Sequence, residues 1–319
     1  MMTNYTKADA THIDFPVTNR EEHFEWWYFD AHFDNGDYFI VMYSLNDTRL
    51  HPRQPSVRLN YYPKGKAEIA KTKVYSEADV STSYEKCEVT LGEEYCKDCG
   101  DYYELYTLID GYGAKLKLSK QNHPFTTEGT PAPMPWTVAV PSGPIEGELY
   151  VDGQTVAVKG TGYHDHNWGE KMLRGVIQNW YWGKIHSPDI SIDYAVFIGP
   201  DGNVASSGAI ISDKDTLIMT PEEPHHSPDS VAFNALINDT MFEETMGKTF
   251  AKRMTLSGAK GDFNFTAEID LINLVMIEKN ESEKGEDAYR YIAKETLSVT
   301  RAGVTKTYQS EGLHEIVYP

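Results

Sequence analysis

The sequence predicts an all-β protein made of two antiparallel domains, and three observations support that prediction. Apolar and aromatic residues recur at a period of two in short runs, as expected for strands with one buried face. Turn dipeptides such as Asn35-Gly36 and Asp152-Gly153 separate these runs and favour tight hairpins. The chain has 319 residues, about twice the length of a common domain, so two domains are expected.

The predicted strands follow one another along the whole chain. So many strands leave open edges unless the sheets close or stack, which predicts a barrel or a sandwich in each domain. Residues 230–246 are the best candidate for a helix. The stretch 169–175 interrupts the strand pattern directly after a dense polar motif, so the predicted domains are 1–172 and 173–319. The clearest strands are 24–33, 38–45, 57–62, 102–109, 148–151, 155–159, 192–198, 263–272, 289–300 and 305–317.

The composition excludes several classes of partner. With 48 acidic and 29 basic side chains, the chain carries a formal net charge of −19, which repels nucleic-acid phosphates and anionic membrane surfaces. The sequence has no run of about 18 apolar residues that would form a transmembrane segment. The first residues lack the basic and apolar parts of a signal peptide, and the odd count of three Cys fits a reducing compartment. A cytoplasmic location is therefore expected.

The first segment that could carry chemistry is residues 23–32, a run of aromatic, acidic and histidine residues. Neighbours on a strand face opposite sides, so each face combines a carboxyl group with large aromatic rings. A carboxyl group packed against such rings tends to keep its proton, because desolvation disfavours the charged form, and it can act as a general acid. An ordinary core position is the alternative for Glu25. One face carries Glu25, Trp27, Phe29 and Ala31, and the other carries Trp26, Tyr28, Asp30 and His32.

The second segment, residues 160–169, is a dense mixture of His, Asp, Asn and Trp. Two His at positions i and i+2 have a spacing common for metal ligands on a strand, but a third ligand has to come from elsewhere. Without a metal, the segment predicts imidazole groups beside an indole ring, with Asp165 as a further candidate acid. A structural corner with satisfied polar groups is the alternative. His164, His166 and Trp168 share one face, Tyr163, Asp165 and Asn167 share the other, and the candidates for a third metal ligand are His186, Asp193, His225 and His226.

The third segment, residues 179–186, is rich in tryptophan, and five of the six Trp of the chain lie in these three segments. Indole rings bury a large apolar area and can stabilise a cation through the ring face. An ordinary core at the join of two domains is the alternative. Asp193 and Tyr194 follow on the next predicted strand. Alternation places Trp180, Trp182, Lys184 and His186 on one face.

Several familiar chemistries have no motif in this sequence. Neither GxGxxG nor GxxxxGK[ST] is present to bind a dinucleotide or a nucleotide, and no GxSxG provides a serine nucleophile. The single Cys-x-x-Cys at 96–99 lacks a second pair to complete a zinc site. The residues therefore predict acid–base chemistry in an aromatic pocket, with no cofactor.

The three segments also resemble the motifs of a known family. Residues 23–31, followed by Asp34-Asn35-Gly36, resemble the opening motif of the lipocalin-like AttH and carotenoid 1,2-hydratase superfamily. Residues 162–169 are similar to its second hallmark and residues 180–183 to its third. The terminal residues 311–316 are also similar to the family, so the resemblance spans nearly the whole chain.

The resemblance implies two lipocalin-like antiparallel β-barrel domains, a pocket near their junction and no redox cofactor. It also implies a hydrophobic polyene or prenyl substrate, as in the hydratases of carotenoids and isoprenoids, kievitone hydratase and the fungal cyclases that catalyse Diels–Alder reactions. In the carotenoid hydratases, a His-x-Trp pair and a Tyr-x-Asp pair matter for catalysis. His166-Asn167-Trp168 matches the first pair, whereas Asp193-Tyr194 are adjacent and in the opposite order, which argues against carotenoid hydration itself.

The residues and the resemblance together lead to one main hypothesis and two alternatives. We expect a cofactor-independent lyase or isomerase, a hydratase or cyclase, that acts on a hydrophobic isoprenoid or polyene small molecule. An acid would protonate an alkene, indole rings would stabilise the cation, and a His would activate water or accept a proton; a pericyclic reaction would need only the shape of the pocket. The alternatives are a lipocalin-like binder of a hydrophobic molecule and a metal-dependent hydrolase that uses His164 and His166. The expected catalytic residues are Glu25, His164, Asp165, His166 and Asp193, and the expected substrate-binding residues are Trp27, Tyr163, Trp168, Trp180, Trp182 and Tyr194.

Overall fold

The computed structural model describes residues 4–128, 134–170, 173–221, 230–280 and 286–319. These residues form two antiparallel sheets, one of 12 strands and one of nine, with very little helix. The prediction of an all-β protein with two lipocalin-like domains is confirmed. The chain divides into two compact units, Met1–Leu173 and Arg174–Pro319, and each unit contains one sheet with its own hydrophobic core.

The first unit begins with a short helix and continues mainly as strands. The helix α1 is Tyr5–Ala8, and a short 3-10 helix is Glu77–Asp79. The strands are β1 Phe24–Phe33, β2 Tyr38–Ser44, β3 Ser56–Tyr62, β4 Ile69–Val74, β5 Val80–Thr82, β6 Glu88–Leu91, β7 Glu94–Asp98, β8 Tyr102–Ile109, β9 Tyr112–Ser119, β10 Phe125–Thr126, β11 Trp136–Val151 and β12 Gln154–Gly169.

Tight turns join several of these strands and set their register. Asp110 and Gly111 connect β8 to β9, Asp152 and Gly153 connect β11 to β12, and all four have positive φ angles between 50° and 81°. A two-residue turn of this kind needs positive φ at both central residues, which Asp and Gly tolerate well. The hairpin predicted at Asp152-Gly153 is therefore confirmed, and Asp110-Gly111 forms a second hairpin of the same kind.

The strand order of the first sheet brings its first and last long strands together. Strand β1 lies between β2 and β12, and β12 also pairs with β11. The β1–β12 ladder runs from the pair Phe24–Gly169 to the pair Phe33–Gly160. A Cβ atom on Gly160 would lie 2.1 Å from the backbone carbonyl oxygen of His32. Two motifs that are distant in the sequence therefore lie side by side, and Gly160 allows their backbones to approach.

The second unit consists of nine strands among its described residues. Their order in the sheet is β16-β15-β14-β13-β21-β20-β19-β18-β17, so the first strand of this unit again pairs with the last. The strands are β13 Asn179–His186, β14 Ser191–Ile198, β15 Val204–Ser212, β16 Leu217–Met219, β17 Ser230–Glu243, β18 Lys248–Lys260, β19 Phe263–Glu278, β20 Asp287–Arg301 and β21 Val304–Tyr318.

The prediction of a helix at 230–246 is wrong, because residues Ser230–Glu243 form strand β17, which pairs with β18. Apolar residues at 233, 236 and 237 have a helical spacing in the sequence. In the structure, Phe233 and Ile237 pack on the core, whereas Leu236 faces away and is 54% exposed. Register irregularities beside Asp239 interrupt the period of two, and this hid the strand in the sequence.

The faces predicted from alternation agree with the two cores. In the first unit, Trp27, Phe29 and Trp168 belong to the core. In the second unit, Tyr181 and Ile185 of β13 belong to the core. They lie on the opposite face of the strand from Trp180 and Trp182, as alternation requires. The described residues contain no apolar helix of the length that a bilayer crossing requires.

Replacing Gly160 with Ala should destabilise the protein by about 1–3 kcal/mol, because the new methyl group has to push β1 away from β12. Urea unfolding of the wild type and the variant measures this difference. Gly65→Asn is the control, since Gly65 lies in the turn after β3 and has no atom within 4 Å of its added Cβ position. Equal stabilities of Gly160→Ala and the wild type would contradict the close approach of the two strands.

Candidate active site

The pairing of β1 with β12 sorts the residues of the first two motifs into two groups. One group lies on the core face of the sheet and the other on the opposite face. The pairs on the core face are Trp27 with His166 and Phe29 with His164, and the pairs on the opposite face are Tyr28 with Asp165 and Asp30 with Tyr163. Asp165 and the two His of the second motif therefore face opposite sides of β12, so one small molecule at Asp165 does not reach the imidazole groups.

The group on the face opposite the core is here termed the outer acid site; it consists of Tyr28, Asp30, Trp136, Tyr163 and Asp165. Asp165 is only 5% exposed. Its Oδ2 atom accepts a hydrogen bond of 2.9 Å from the indole N–H of Trp136 and one of 2.8 Å from the hydroxyl of Tyr163. Its Oδ1 atom makes no hydrogen bond to any described residue. Asp165 is thus held by one oxygen and leaves the other oxygen without a partner.

Burial controls the acidity of Asp165. Desolvation disfavours the carboxylate and raises the pKa of Asp165 to about 7. The hydrogen bonds from Trp136 and Tyr163 and the charge of His164 oppose this rise, and the charge of Asp30 adds to it. Asp165 therefore exchanges its proton near neutral pH, where a general acid or base is most effective.

Aromatic rings surround this carboxyl group. The rings of Tyr28 and Tyr163 meet edge to face, with their centroids 6.2 Å apart. The indole of Trp136 adds a third ring through its hydrogen bond to Asp165. Such rings offer apolar contact area to a ligand and favourable electrostatic contact to a cation.

A second cluster lies on the core face and is here termed the inner polar cluster; it consists of Asp9, Glu25, Tyr103, His164 and His166. His164 Nδ1 donates to the backbone carbonyl of Tyr28 at 2.9 Å, and its Nε2 donates to Asp9 Oδ2 at 3.1 Å. Both partners are acceptors, so the ring of His164 carries two protons and is an imidazolium. Burial alone would lower the pKa of His164, but the Asp9 carboxylate outweighs this effect and raises the pKa to about 10.

Glu25 and His166 form the other half of the inner polar cluster. His166 Nε2 lies 2.9 Å from Glu25 Oε1, and the backbone N–H groups of His12 and Ile13 donate to the two oxygens of Glu25. Burial raises the pKa of Glu25 to about 8, although the two backbone hydrogen bonds lower it. Burial lowers the pKa of His166 well below its usual range, because it disfavours the charged imidazolium. At neutral pH, Glu25 therefore carries the proton and donates it to a neutral His166.

The inner polar cluster is tightly packed between aromatic rings. The ring of His166 stacks on Trp27 with a centroid distance of 4.4 Å and lies 4.8 Å from Trp168. His12 stacks on the other indole, Trp168, at 3.9 Å. The indole N–H of Trp27 also donates to the backbone carbonyl of Asp9. Through these contacts, the cluster anchors residues 9–13 to β1 and β12.

One set of His, Cys and carboxylate atoms among the described residues is close enough to hold a metal ion. It consists of Asp9, Cys87 and His164, whose ligand atoms lie within 4.8 Å of one another. His166 is not in this set. The set therefore differs from the pair of His164 and His166 that the sequence suggested. The candidate third ligands His225 and His226 lie outside the described residues.

The second unit contains the remaining predicted site residues. Asp193 is buried and lies opposite Lys184 in the β13–β14 ladder. Trp182 shares this face, and the Nζ atom of Lys184 lies 6.0 Å from the centre of its ring. Trp180 is buried but is not part of the core cluster that contains its neighbour Tyr181.

Tyr194 faces the core of the second unit and forms a hydrogen-bonded series there. Burial raises the pKa of Tyr194 well above its usual range, so its hydroxyl keeps its proton and donates to His314 Nδ1 at 2.8 Å. His314 Nε2 then donates to Glu295 Oε1 at 2.9 Å. A Cβ atom on Gly183 would lie 2.1 Å from His314 Nδ1. This contact explains the glycine of the Trp-Tyr-Trp-Gly motif and places Tyr194 in a core network.

Sequence reasoning assigned no role to several residues of these clusters. Trp136 is the only Trp outside the three motif segments. That it stands apart from them is the one feature of the sequence that could have drawn attention to it. Asp9 lies near the start of the chain with no motif around it, although it contacts His164, 155 positions away. His314 was noted only as part of the terminal motif, and Glu295 had no signal of its own.

Solved structures match this fold along nearly the whole chain. The AttH structure from Nitrosomonas europaea matches with a TM-score of 0.65 at 15% identity, over 96% of this chain and 97% of that one. The chain has the lipocalin-like fold of AttH. The structure of CghA with Sch210972 gives a TM-score of 0.68 at 11% identity over 93% and 89% of the two chains, and kievitone hydratase from Nectria haematococca gives 0.59 at 19% over 92% and 88%.

Two proteins share sequence with parts of this AttH-like chain. The quinolone epoxide rearrangement protein asqO of Emericella nidulans is 27% identical over 138 residues, which is 42% of this chain and 36% of that protein. The hydroxyneurosporene dehydrogenase of Chlorobaculum tepidum is 33% identical over 67 residues, 19% of this chain and 18% of that protein. Both matches thus span well under two thirds of the relatives, and no family model matches the chain. With the fold, they confirm the resemblance to the AttH superfamily.

Replacing Asp9 with Asn should destabilise the protein by about 3–5 kcal/mol, because His164 then keeps a buried charge without a counter-ion. The double variant Asp9→Asn/His164→Asn should be less destabilised than the sum of the two single variants, since it removes both charges. Urea unfolding of the four proteins completes this double-mutant cycle. Strict additivity of the two single effects would contradict the ion pair.

The neutral variant Glu25→Gln should change how stability depends on pH. The pKa of Glu25 is raised from 4.5 to about 8 in the folded protein, so the stability that its neutral form contributes is present below 4.5 and is lost as the pH rises through 8. The free energy of unfolding of the wild type should therefore fall relative to that of Glu25→Gln over this range. Urea unfolding at a series of pH values measures the difference, and a difference that is constant with pH would contradict a buried neutral Glu25.

Proposed function

We propose that this chain is a cofactor-independent lyase or isomerase that acts on a hydrophobic isoprenoid or polyene substrate, with Asp165 as its general acid. The observation that carries this proposal is the asymmetry of the Asp165 carboxyl group. Oδ2 accepts two hydrogen bonds, whereas Oδ1 accepts none. In this proposal the proton of the neutral acid belongs on Oδ1, the oxygen that accepts no hydrogen bond.

The surroundings of Asp165 suit the protonation of a carbon–carbon double bond. A buried acid with a pKa of about 7 is a stronger proton source at neutral pH than water and is still protonated in about half of the molecules there. Transfer of its proton to an alkene forms a carbocation next to the rings of Tyr28, Tyr163 and Trp136. These rings stabilise the cation through their faces without supplying a nucleophile that would trap it.

The relatives support this class of chemistry. Kievitone hydratase is named for the addition of water, and asqO for the rearrangement of a quinolone epoxide. Both names denote reactions in which an acid can start the chemistry by protonating the substrate. We propose that the present chain also starts its reaction by protonating the substrate, and that Asp165 is the acid that does so.

The predicted histidines have a different part in this proposal. His164 and His166 belong to the inner polar cluster, where each is already bonded to a carboxyl group. In this proposal they hold β12 against β1 and so position Asp165 on the far face of the same strand. Trp27 and Trp168 pack around His166 and support it in this role.

Asp165→Asn should abolish turnover while leaving the fold intact, since the amide keeps the size of the side chain but has no acidic proton. An acyclic carotenoid and a prenylated phenol are the probe substrates, and their conversion is followed by chromatography with mass spectrometry. A loss of about 10²–10⁴-fold is expected for the removal of a general acid. In the wild type, turnover should fall as the pH rises through 7, because only the protonated acid donates.

Asp152→Asn is the matched control, because it makes the same chemical change in an exposed turn. Wild-type activity in Asp165→Asn would overturn the role of Asp165 as acid. Tight binding of a probe without any conversion by the wild type would instead favour the alternative, a lipocalin-like binder of a hydrophobic molecule.

A further inference from the structure

We propose that Asp9, Cys87 and His164 bind a structural zinc ion in the core of the first unit. The juxtaposition that carries this inference is the meeting of a carboxylate, a thiol and an imidazole whose ligand atoms all lie within 4.8 Å of one another. The site is separate from the outer acid site, because His164 and Asp165 face opposite sides of β12. The inference therefore does not depend on the proposed function.

The three donors are of the types that zinc prefers. Zinc binds cysteine sulfur at about 2.3 Å, histidine nitrogen at about 2.0–2.1 Å and carboxylate oxygen at about 2.0–2.2 Å, so the ligand atoms of one tetrahedral ion are about 3.3–3.6 Å apart. His164 Nε2 and Asp9 Oδ2 are already 3.1 Å apart, and Cys87 has to approach by about 1 Å at most. A thiol in the set favours zinc over calcium and magnesium, which take oxygen ligands.

Asp9 offers a fourth donor atom, and this atom is an independent sign of a cation. Asp9 is fully buried, yet its Oδ1 atom makes no hydrogen bond to a described residue. His166 Nδ1 lies 3.6 Å from this oxygen and is likewise without a hydrogen bond. A buried carboxylate oxygen without a partner costs free energy. A zinc ion bound by both oxygens of Asp9 removes this cost and completes four-coordination.

The surrounding groups orient the ligands as metal sites require. A His that binds a metal usually donates its other ring N–H to a carbonyl or carboxylate, and a ligating carboxylate is itself hydrogen-bonded. His164 Nδ1 donates to the backbone carbonyl of Tyr28 at 2.9 Å, which turns Nε2 towards Asp9. The hydroxyl of Tyr103 donates to Asp9 Oδ2 at 2.6 Å, and the ring of Phe29 stacks on His164 at 3.8 Å. The ligands are therefore held in place and enclosed by aromatic rings before the ion binds.

Exchange of protons for zinc keeps this part of the core electrically neutral. Without the metal, the Asp9 carboxylate is balanced by the His164 imidazolium, and burial raises the pKa of the Cys87 thiol, so that it keeps its proton. When Zn²⁺ binds, His164 Nε2 and Cys87 Sγ each lose one proton. The two charges of the ion are then balanced by the Asp9 carboxylate and the Cys87 thiolate. The ion pair of Asp9 and His164 is thus the metal-free form of the site, and no atom is oxidised or reduced.

Complete burial makes this a structural site rather than a catalytic one. Asp9, Cys87 and His164 are all fully buried, so no coordination position is open to water or substrate, as a catalytic zinc site requires. The ion joins three parts of the unit that are distant in the sequence, namely the N-terminal segment, the residue before β6 and the strand β12. We therefore expect zinc to stabilise the first unit.

Metal content and thermal stability test the site in the full chain, produced without an affinity tag in zinc-supplemented medium. Elemental mass spectrometry should find a stoichiometric amount of zinc in the wild type and almost none in Cys87→Ala. After a chelator has removed the metal, zinc chloride should raise the unfolding midpoint of the wild type by about 5 °C or more and leave that of Cys87→Ala unchanged. Cobalt chloride should give the near-ultraviolet absorption of a cobalt–thiolate bond in the wild type alone.

Cys96→Ala and Cys99→Ala are the matched controls, since they make the same chemical change at the other two cysteines. Cys96 is buried and its Sγ atom lies 3.8 Å from that of Cys87, but it is outside the set of converging ligand atoms. Cys99 is exposed. Both variants should bind zinc as the wild type does, and circular dichroism shows that each variant keeps the fold.

Several outcomes would overturn the inference. Wild-type protein that is isolated without zinc and takes up none after treatment with the chelator has no such site. Zinc that stays in Cys87→Ala at the wild-type level, or that is lost equally from Cys96→Ala, would contradict the assignment of the ligands. The cobalt spectrum of the wild type decides without any variant, because a missing thiolate absorption would show that Cys87 does not bind the metal.

Discussion

The antiparallel pairing of β1 with β12 is the interaction on which the rest of the first unit depends. Its register runs from the pair Phe24–Gly169 to the pair Phe33–Gly160, and it joins two motifs from opposite ends of the unit. Because side chains alternate along both strands, one pairing creates two different environments. A shift of one residue would move Asp165 to the core face and the histidines to the other. Gly160 matters for this reason, since it lets the two backbones come close at the end of the ladder.

The two faces use buried charge in different ways. On the core face, Asp9 pairs with the His164 imidazolium and Glu25 shares a proton with His166, while Asp9 Oδ1 and His166 Nδ1 make no hydrogen bond to a described residue. These contacts join β1 and β12 to the segment that carries Asp9. On the other face, Asp165 has donors on Oδ2 and none on Oδ1. A buried carboxyl group left half satisfied costs free energy, and proteins keep such groups mainly where they serve a reaction or a ligand.

Alternation and turn chemistry made most of the fold predictable from the sequence. The faces of β1, β12 and β13 and the hairpins at Asp110-Gly111 and Asp152-Gly153 follow from local rules. Long-range contacts did not follow from such rules. Nothing near Asp9 indicates that it meets His164, and only the fold brings the indole of Trp136 to Asp165. Strand β17 was mistaken for a helix because register irregularities broke its period of two.

The central claim is that Asp165 is a buried acid that holds its proton near neutral pH. Carbon-13 NMR of protein labelled at the aspartate carboxyl carbons measures this directly, with Asp165→Asn used to assign the resonance. The account predicts one carboxyl resonance that titrates with a midpoint near pH 7 and is absent from the variant. A midpoint near the ordinary value of 3.8 would show that Asp165 is ionised at neutral pH, and it would contradict the role of this residue as the general acid.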